Sequence, residues 1–273
     1  MDFEEFLKSE AARIRKVEQK HLEAWFNHLS KKVPSLKPHA KAFIKACDGG
    51  KKIRGALINL GYQIAGGGSQ SILDVAAAYE IFHSSILVHD DIIDQSIERR
   101  GLPSLYQALG SNHYGVSQAI CLADAGFFLA TRIISEAKFP DQKKNKALIL
   151  FSKTMLDTAL GQMLDIEKGD PLIIMKFKTA QYTISSPLQL GALLAGADEK
   201  LVRKLGEFGE SLGIAFQIRD DILDGEVQSI KESEKEALRY KDIAKKNIPG
   251  LTKDAKMSKL LNQMAEYLVE RNK

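Results

Sequence analysis

Apolar residues recur at three- and four-residue steps along most of the chain. In "LVRKLGEFGESLGIAFQI" the positions Leu201, Leu205, Phe208, Leu212 and Ala215 fall on one helical face. "SILDVAAAYEIFHSSILVHDD" is apolar nearly all round, the pattern of a helix buried in the middle of a bundle. Alternation of period two is scarce, and no hairpin dipeptide stands between alternating runs. Breaks rich in Gly or Pro fall at "AGGGS" (Ala65 to Ser69), "RRGLPS", "KFPD", "KGDP" and "NIPG". The pattern predicts an all-α fold: one domain over residues 1–273, a bundle of roughly ten or more helices.

Two acidic stretches break the apolar pattern. "HDDIID" (His89 to Asp94) and "RDDILD" (Arg219 to Asp224) each close a long apolar helix, which lets both point into one cavity from facing helices. Three neighbouring carboxylates repel one another and are expensive to bury, so a cation belongs among them unless they lie open to water. On a helix Asp90 and Asp94 share a face, with side chains about 5–6 Å apart. Asp91 flanks them, and Asp220, Asp221 and Asp224 repeat the arrangement. Such groups are hard oxygen ligands suited to Mg²⁺, which commonly shares its remaining positions with substrate phosphates. One D-D-x-x-D alone reads as a solvated acidic helix end; a second copy turns the reading towards metal.

Cations supply the other half. "GGKKIRG" (Gly49 to Gly55) sets Lys51 and Arg54 after a Gly pair at a helix start, a good anion site. "ERRG" adds Arg99 and Arg100, and "KFKTA" adds Lys178 and Thr179. Each cluster alone reads as solvated surface. Together with magnesium-type carboxylates on one helical scaffold, they point to an enzyme that handles diphosphates.

Composition narrows the field a little further. The 273 residues are 44% hydrophobic and 27% charged, as in a globular protein, and the formal charge of +4 argues against a dedicated nucleic-acid binder. Cys47 and Cys121 have no metal-type spacing and read as reduced core residues. "MDFEEFLKSE" lacks the basic and apolar regions of a secretory signal, and runs such as "LQLGALLAGA" are too short to span a bilayer. A cytoplasmic protein without stable membrane insertion is the expectation.

"EIFHSSILVHDDIIDQSIERRGLPS", followed in order by "GQMLD", "KTAQY" and "GIAFQIRDDILD", resembles the trans-type isoprenyl diphosphate synthases, the polyprenyl synthetase family. The resemblance runs from about "GGKKIRG" to "FQIRDDILD". It implies helices around a central cavity and condensation of isopentenyl diphosphate with an allylic diphosphate (dimethylallyl, geranyl or farnesyl). Asp90, Asp91 and Asp94 match ligands of two Mg²⁺ ions; Asp220 matches the ligand of a third, supported by Asp221 and Asp224. Lys51, Arg54 and His83, helped by Arg100, match the isopentenyl diphosphate site. Arg99 and Lys178 match contacts to the allylic diphosphate. Thr179 and Gln217 match groups lining the reacting carbons, and Gln162 and Asp165 match an element near the allylic substrate, with Asp165 a further candidate metal ligand. The family also implies a homodimer.

Two departures stand out. Gly55 replaces the family's Pro. After Asp224 the family's lysine-bearing loop is missing, and "GEVQSIKESEKEALRYKDIAKKNIPG" runs instead; this segment reads as a solvated charged helix with the loop reduced, and Lys231, Lys235 or Lys241 are the alternative substitutes. Product length in the family depends on residues before the first motif. Ile86 and Ser85, four and five before Asp90, are not aromatic, and Phe82 one turn further is the candidate floor, with Phe127 or Phe128 as the alternative. This predicts a C20 product, with C25 or C15 as alternatives. Two competing readings are a class I terpene cyclase, against which Lys51, Arg54 and His83 speak, and a non-catalytic subunit, against which both Asp motifs speak.

Overall fold

The computed structural model describes residues 2–270. Helices α1 (Phe3–Lys32), α2 (Lys37–Cys47), α3 (Ile53–Ile64) and α4 (Ile72–Ile93) come first. A two-residue antiparallel pair follows, β1 (Glu98–Arg99) with β2 (Leu102–Pro103). Then come α5 (Leu105–Ala108), α6 (His113–Glu136), α7 (Asp141–Ile166) and α8 (Pro171–Ile174). Met175–Ser185 winds as a π-helix and passes into α9 (Ser186–Ala195). The rest is α10 (Glu199–Asp224), α11 (Ile230–Asn247) and α12 (Ala255–Val269). The fold is all-α, as the periodicity predicts.

Packing divides the chain into two compact units. The first takes Ser9–Gly55 and Leu73–Lys138; the second takes the chain up to Lys8, Ala56–Ile72 and everything from Phe139 on. The sequence predicts one domain because it shows no linker. Three of the four boundaries fall inside α1, α3 and α4, where no change of composition marks them.

In the first unit α4 is the central helix: Val75 to Tyr79 and Ile81 are wholly buried, as its all-round apolar sequence requires. α6 buries Ala119, Ala123 and Ala130, and α4 meets it at Gly126 and Phe127. A Cβ on Gly126 would lie 2.1 Å from Ser85 Oγ and 2.7 Å from the Phe43 ring, so only glycine permits this approach. Buried Cys47 fits its sequence reading, whereas Cys121 is exposed on α6, a correction to its core assignment. α6 is long and apolar enough to cross a membrane by length and composition alone. Its buried alanines and Ile134 instead belong to the packing of the unit.

The small hairpin escapes the period-two search because each strand has two residues. Both central turn residues, Arg100 (φ 55°) and Gly101 (φ 75°), have positive φ, as a tight hairpin of this hand demands. Arginine at such a position is strained and has to be held by its contacts.

In the second unit Leu205, Phe208, Leu212 and Ala215 of α10 are buried, as the sequence predicts, whereas Leu201 in its first turn is only half-buried. α3 and α9 cross at a pair of glycines: a Cβ on Gly61 would lie 2.0 Å from Leu188 O, and one on Gly191 would lie 1.9 Å from Ile58 O.

Candidate functional site

The first acidic motif is the end of α4. Asp90 and Asp91 lie in its last turn, and Asp94 just beyond it, with Asp94 N–H donating to Asp90 O at 2.9 Å. Gln95 takes positive φ (54°) and Ser96 N–H returns to Asp91 O at 2.8 Å, which closes the helix. The motif therefore stacks carboxylates on the negative end of a helix dipole, an arrangement that favours a cation. Arg99 supplies one. Its Nε donates to Asp91 Oδ1 at 2.8 Å, and Nη2 lies 3.4 Å from Asp90 Oδ2. Asp91 is buried and committed to this pair; Asp90 is half-buried, and Asp94 is exposed.

Behind the motif, "GGKKIRG" and "ERRG" come together. Gly49 (φ 89°) and Gly50 (φ 72°) form the turn before α3. Arg100 lies across them, with Nη1 donating to Asp48 O at 3.1 Å, and a Cβ on Gly50 would meet its Nη2 at 2.9 Å. Lys51 is exposed beside this turn. Arg54 Nη1 donates to His83 Nε2 at 3.2 Å, which requires an unprotonated Nε2. Burial first, and then the positive charges of Arg54, Arg100, Lys52 and Arg99, hold the His83 pKa well below its ordinary value. Neutral His83 therefore leaves Nδ1 as its donor.

Sequence reasoning missed the buried frame under these cations. Lys52 is buried at positive φ (51°) and bridges Glu18 of α1, with Nζ 2.7 Å from Oε2, and Cys47 O at 3.0 Å. Glu80 of α4 accepts from Gly55 N–H at 2.8 Å, capping the first turn of α3. A Pro at position 55 has no N–H to offer, so Gly55 and Glu80 belong together. Glu80 was legible as an acid set in the middle of an apolar run; Glu18 carried no such mark.

The residues read as setting product length part company. Phe82 is buried and stacks on Phe127 with ring centroids 4.5 Å apart, and Phe127 meets His89 edge-on at 5.2 Å. Ile86 is half-buried on the same side of α4. Ser85 corrects the sequence reading: it is wholly buried, bonds to Ile81 O at 3.0 Å and faces Gly126 rather than open space. Phe128, three-quarters exposed, is not part of the stack.

The second acidic motif ends α10 in the same manner. Gly225 takes positive φ (75°) and Glu226 N–H returns to Asp221 O at 2.9 Å. Asp220 and Asp221 are half-buried, and Asp224 is exposed. Gln217 Nε2 donates to Asp221 Oδ1 at 2.6 Å. Burial raises the Asp221 pKa, the Gln217 bond opposes this, and the charges of Glu226, Asp224 and Asp165 raise it further.

Lys178 Nζ pairs with Asp165, joining the "KTAQY" and "GQMLD" elements. Lys178 and Thr179, both half-buried, lie in the π-helical segment, a rare geometry found disproportionately at functional sites. Glycines let its neighbours close on it: a Cβ on Gly161 of α7 would lie 2.5 Å from Lys178 N, and one on Gly213 of α10 would lie 2.5 Å from Ala180 Cα. Gln162, next to Gly161, is half-buried. After Asp224, α11 replaces the lysine loop. Lys241 is buried and paired with Glu270, which removes it as a substitute; Lys231 and Lys235 are exposed.

Among the described residues no three His, Cys, Asp or Glu side chains gather into a ready-made ion cage. The donor set still suits Mg²⁺, which keeps waters and substrate oxygens and needs only one or two carboxylates from the protein.

A sequence profile described as Polyprenyl synthetase matches residues 37–267. A geranylgeranyl diphosphate synthase of Sulfolobus acidocaldarius is 33% identical over 208 residues, covering 72% of this chain and 60% of that protein. A farnesyl diphosphate synthase of Escherichia coli is 30% identical over 263 residues, covering 82% of this chain and 86% of that one. The chain thus spans about three fifths of the first of these relatives and most of the second. A geranylgeranyl pyrophosphate synthase structure from Corynebacterium glutamicum superimposes with a TM-score of 0.84 at 21% identity, covering 100% of both chains, and so shares the fold.

Proposed function

The chain belongs to the polyprenyl synthetase family, and from that premise we propose that it is a chain-elongating prenyltransferase working as one catalytic domain. It condenses isopentenyl diphosphate with an allylic diphosphate, head to tail, to a trans-prenyl diphosphate of C20 length, with C25 and C15 as the alternatives. The observation that carries this reading is the repetition of one device: D-D-x-x-D closing an apolar α-helix at both Asp94 and Asp224.

Asp90 and Asp94, with Asp91 held by Arg99, would hold two Mg²⁺ ions on the allylic diphosphate. Asp220, supported by Asp221, Asp224 and Asp165, would hold a third. Bound magnesium would neutralise the departing diphosphate, which lowers the barrier to breaking the allylic C–O bond. Arg99 and Lys178, each resting on a carboxylate in this structure, are free to turn to phosphate oxygens once those carboxylates have another cation. Lys51, Arg54, His83 and Arg100 orient the diphosphate of isopentenyl diphosphate. Without substrate, Arg54 donates to His83 Nε2, so the ring and the guanidinium are already set side by side for this task. The allylic carbocation is attacked by the double bond of isopentenyl diphosphate, and a proton then leaves for the released diphosphate. Thr179 and Gln217 line the reacting carbons, with Gln162 beside the allylic substrate. Phe82, stacked on Phe127, ends the path of the growing chain. The enzyme acts as a homodimer.

Turnover of labelled isopentenyl diphosphate with Mg²⁺ and an allylic diphosphate tests the reading. Loss of product in both Asp90→Ala and Asp220→Ala supports it; near-normal turnover in either variant rejects the metal assignment.

A further inference from the structure

The turn before α3 is gripped through its backbone by cationic side chains from three parts of the first unit. Cys47 O accepts from Lys52 Nζ at 3.0 Å, Asp48 O from Arg100 Nη1 at 3.1 Å, and Gly50 O from Arg15 Nη2 of α1 at 2.6 Å. Hydrogen bonds from charged donors are stronger than neutral ones. The turn needs them: Gly49, Gly50 and Lys52 all take positive φ (89°, 72° and 51°), and lysine lacks the freedom of glycine there.

The two lysines of "GGKKIRG" meet opposite surroundings. Lys51 is exposed, whereas the Lys52 side chain is only 2% exposed. The Lys52 ammonium has three N–H donors. Its acceptors are both carboxylate oxygens of Glu18, at 2.8 and 2.7 Å, and Cys47 O. A buried charge is tolerated only where it is paired and hydrogen-bonded, so this seat decides which lysine faces inwards. A turn shifted by one residue would bury Lys51 and send Lys52 out.

We propose that Lys52 and Arg15 are positioning residues of the isopentenyl diphosphate site. Lys52, seated on Glu18, and Arg15, bonded to Gly50 O, hold the Gly49–Gly50 turn in the conformation that sends Lys51 outwards. Neither touches substrate. Without either anchor the turn has to be ordered at the moment of binding, and affinity falls by that cost. The allylic diphosphate does not use this turn and is bound as before. The inference rests on the function proposed above.

The test is calorimetric titration of the full chain with isopentenyl diphosphate at about pH 8, above the Glu18 pKa of about 7, so that the pair with Lys52 is ionised. Mg²⁺ and farnesyl thiolodiphosphate, an allylic analogue slow to ionise, are present. Arg15→Gln and Lys52→Met are each expected to weaken isopentenyl diphosphate about tenfold and to leave the affinity of the analogue, titrated alone with Mg²⁺, unchanged. A cycle with Lys51→Ala separates positioning from direct contact. Neither change is expected to add to Lys51→Ala, whereas a direct contact with the diphosphate would add its full cost. Circular dichroism checks that each variant is folded, and Arg15→Gln, at an exposed position, carries the test if Lys52→Met is not. Undiminished affinity for isopentenyl diphosphate in the folded variants overturns the proposal. So does equal weakening of the analogue, which would mark a general loss of structure, or additivity with Lys51→Ala. Those results leave the proposed function standing. A wild type that binds no isopentenyl diphosphate would instead remove that function, and this inference with it.

Discussion

Glu18 is an acid that water scarcely reaches. Burial pushes its carboxyl up to about 7 from an ordinary 4.5, against the pull of the Lys52 ammonium. Between those values the folded protein keeps a proton that the unfolded chain has lost. The contribution is therefore complete below about 4.5 and disappears as pH rises through about 7, an effect of up to about 3 kcal/mol. His83 acts oppositely: its lowered pKa costs stability as pH falls below its ordinary 6.5. The informative quantity is thus a difference. Urea midpoints of the wild type minus those of Glu18→Gln are expected to fall as pH rises from about 5 to about 7; a pH-independent difference would contradict the buried carboxyl. Nothing in the sequence announces this pair, because Glu18 sits in the unremarkable charged pattern of α1 and meets Lys52 only through folding. The carboxylates of "HDDIID" were legible for the opposite reason, since acids next to an apolar run demand an explanation.

At the scale of elements, α4 and α6 show where periodicity succeeds and where it stops. The buried length of α4 was plain from its all-round apolar sequence, but which neighbour each face meets was not. Ser85 and Ile86 are adjacent in sequence, yet only Ser85 is sealed against Gly126. Ser85→Phe is accordingly expected to overpack α4 against α6 and lose about 1–3 kcal/mol, read as a lowered denaturation midpoint. A stable variant with a shortened product would instead restore position 85 to the product path. Phe82→Ala is expected to lengthen the product and to cost about 3–5 kcal/mol for the lost ring. Chromatography of the product showing unchanged length would move the floor to another helix. The π-helical segment was invisible to sequence, because its composition is that of any helix; only its glycine neighbours hint at close contact. Gly161→Val places side-chain atoms on the Lys178 backbone and is expected to lower both stability and turnover, whereas wild-type behaviour would deny that contact any role.

For the whole molecule, the order of motifs was readable and the division into two units was not, since the boundaries run through helices. The chain's departure after Asp224 was visible, but the fate of each lysine was not until Lys241 was seen paired with Glu270. α7 leaves Ile149, Leu156, Leu160 and Met163 exposed at helical spacing, between 50% and 70% of each side accessible. Such a stripe fits the proposed homodimer, because exposed contiguous apolar surface marks association. Sedimentation is expected to show a dimer that Leu156→Glu combined with Met163→Glu converts to monomer. A wild-type monomer, or a dimer indifferent to those changes, would place the interface elsewhere or remove it.

The most direct measurement is a single turnover series with radiolabelled isopentenyl diphosphate and farnesyl diphosphate, with and without Mg²⁺, for the wild type, Asp90→Ala and Asp220→Ala. The expected result is a magnesium-dependent C20 product in the wild type. Each variant is expected to lose several orders of magnitude in rate, as removal of groups acting on the leaving diphosphate implies, while its circular dichroism and melting stay native-like. Folded variants that turn over at the wild-type rate, or a wild type that consumes no isopentenyl diphosphate in the presence of Mg²⁺, would contradict the assignment of prenyl transfer to these two acidic helix ends.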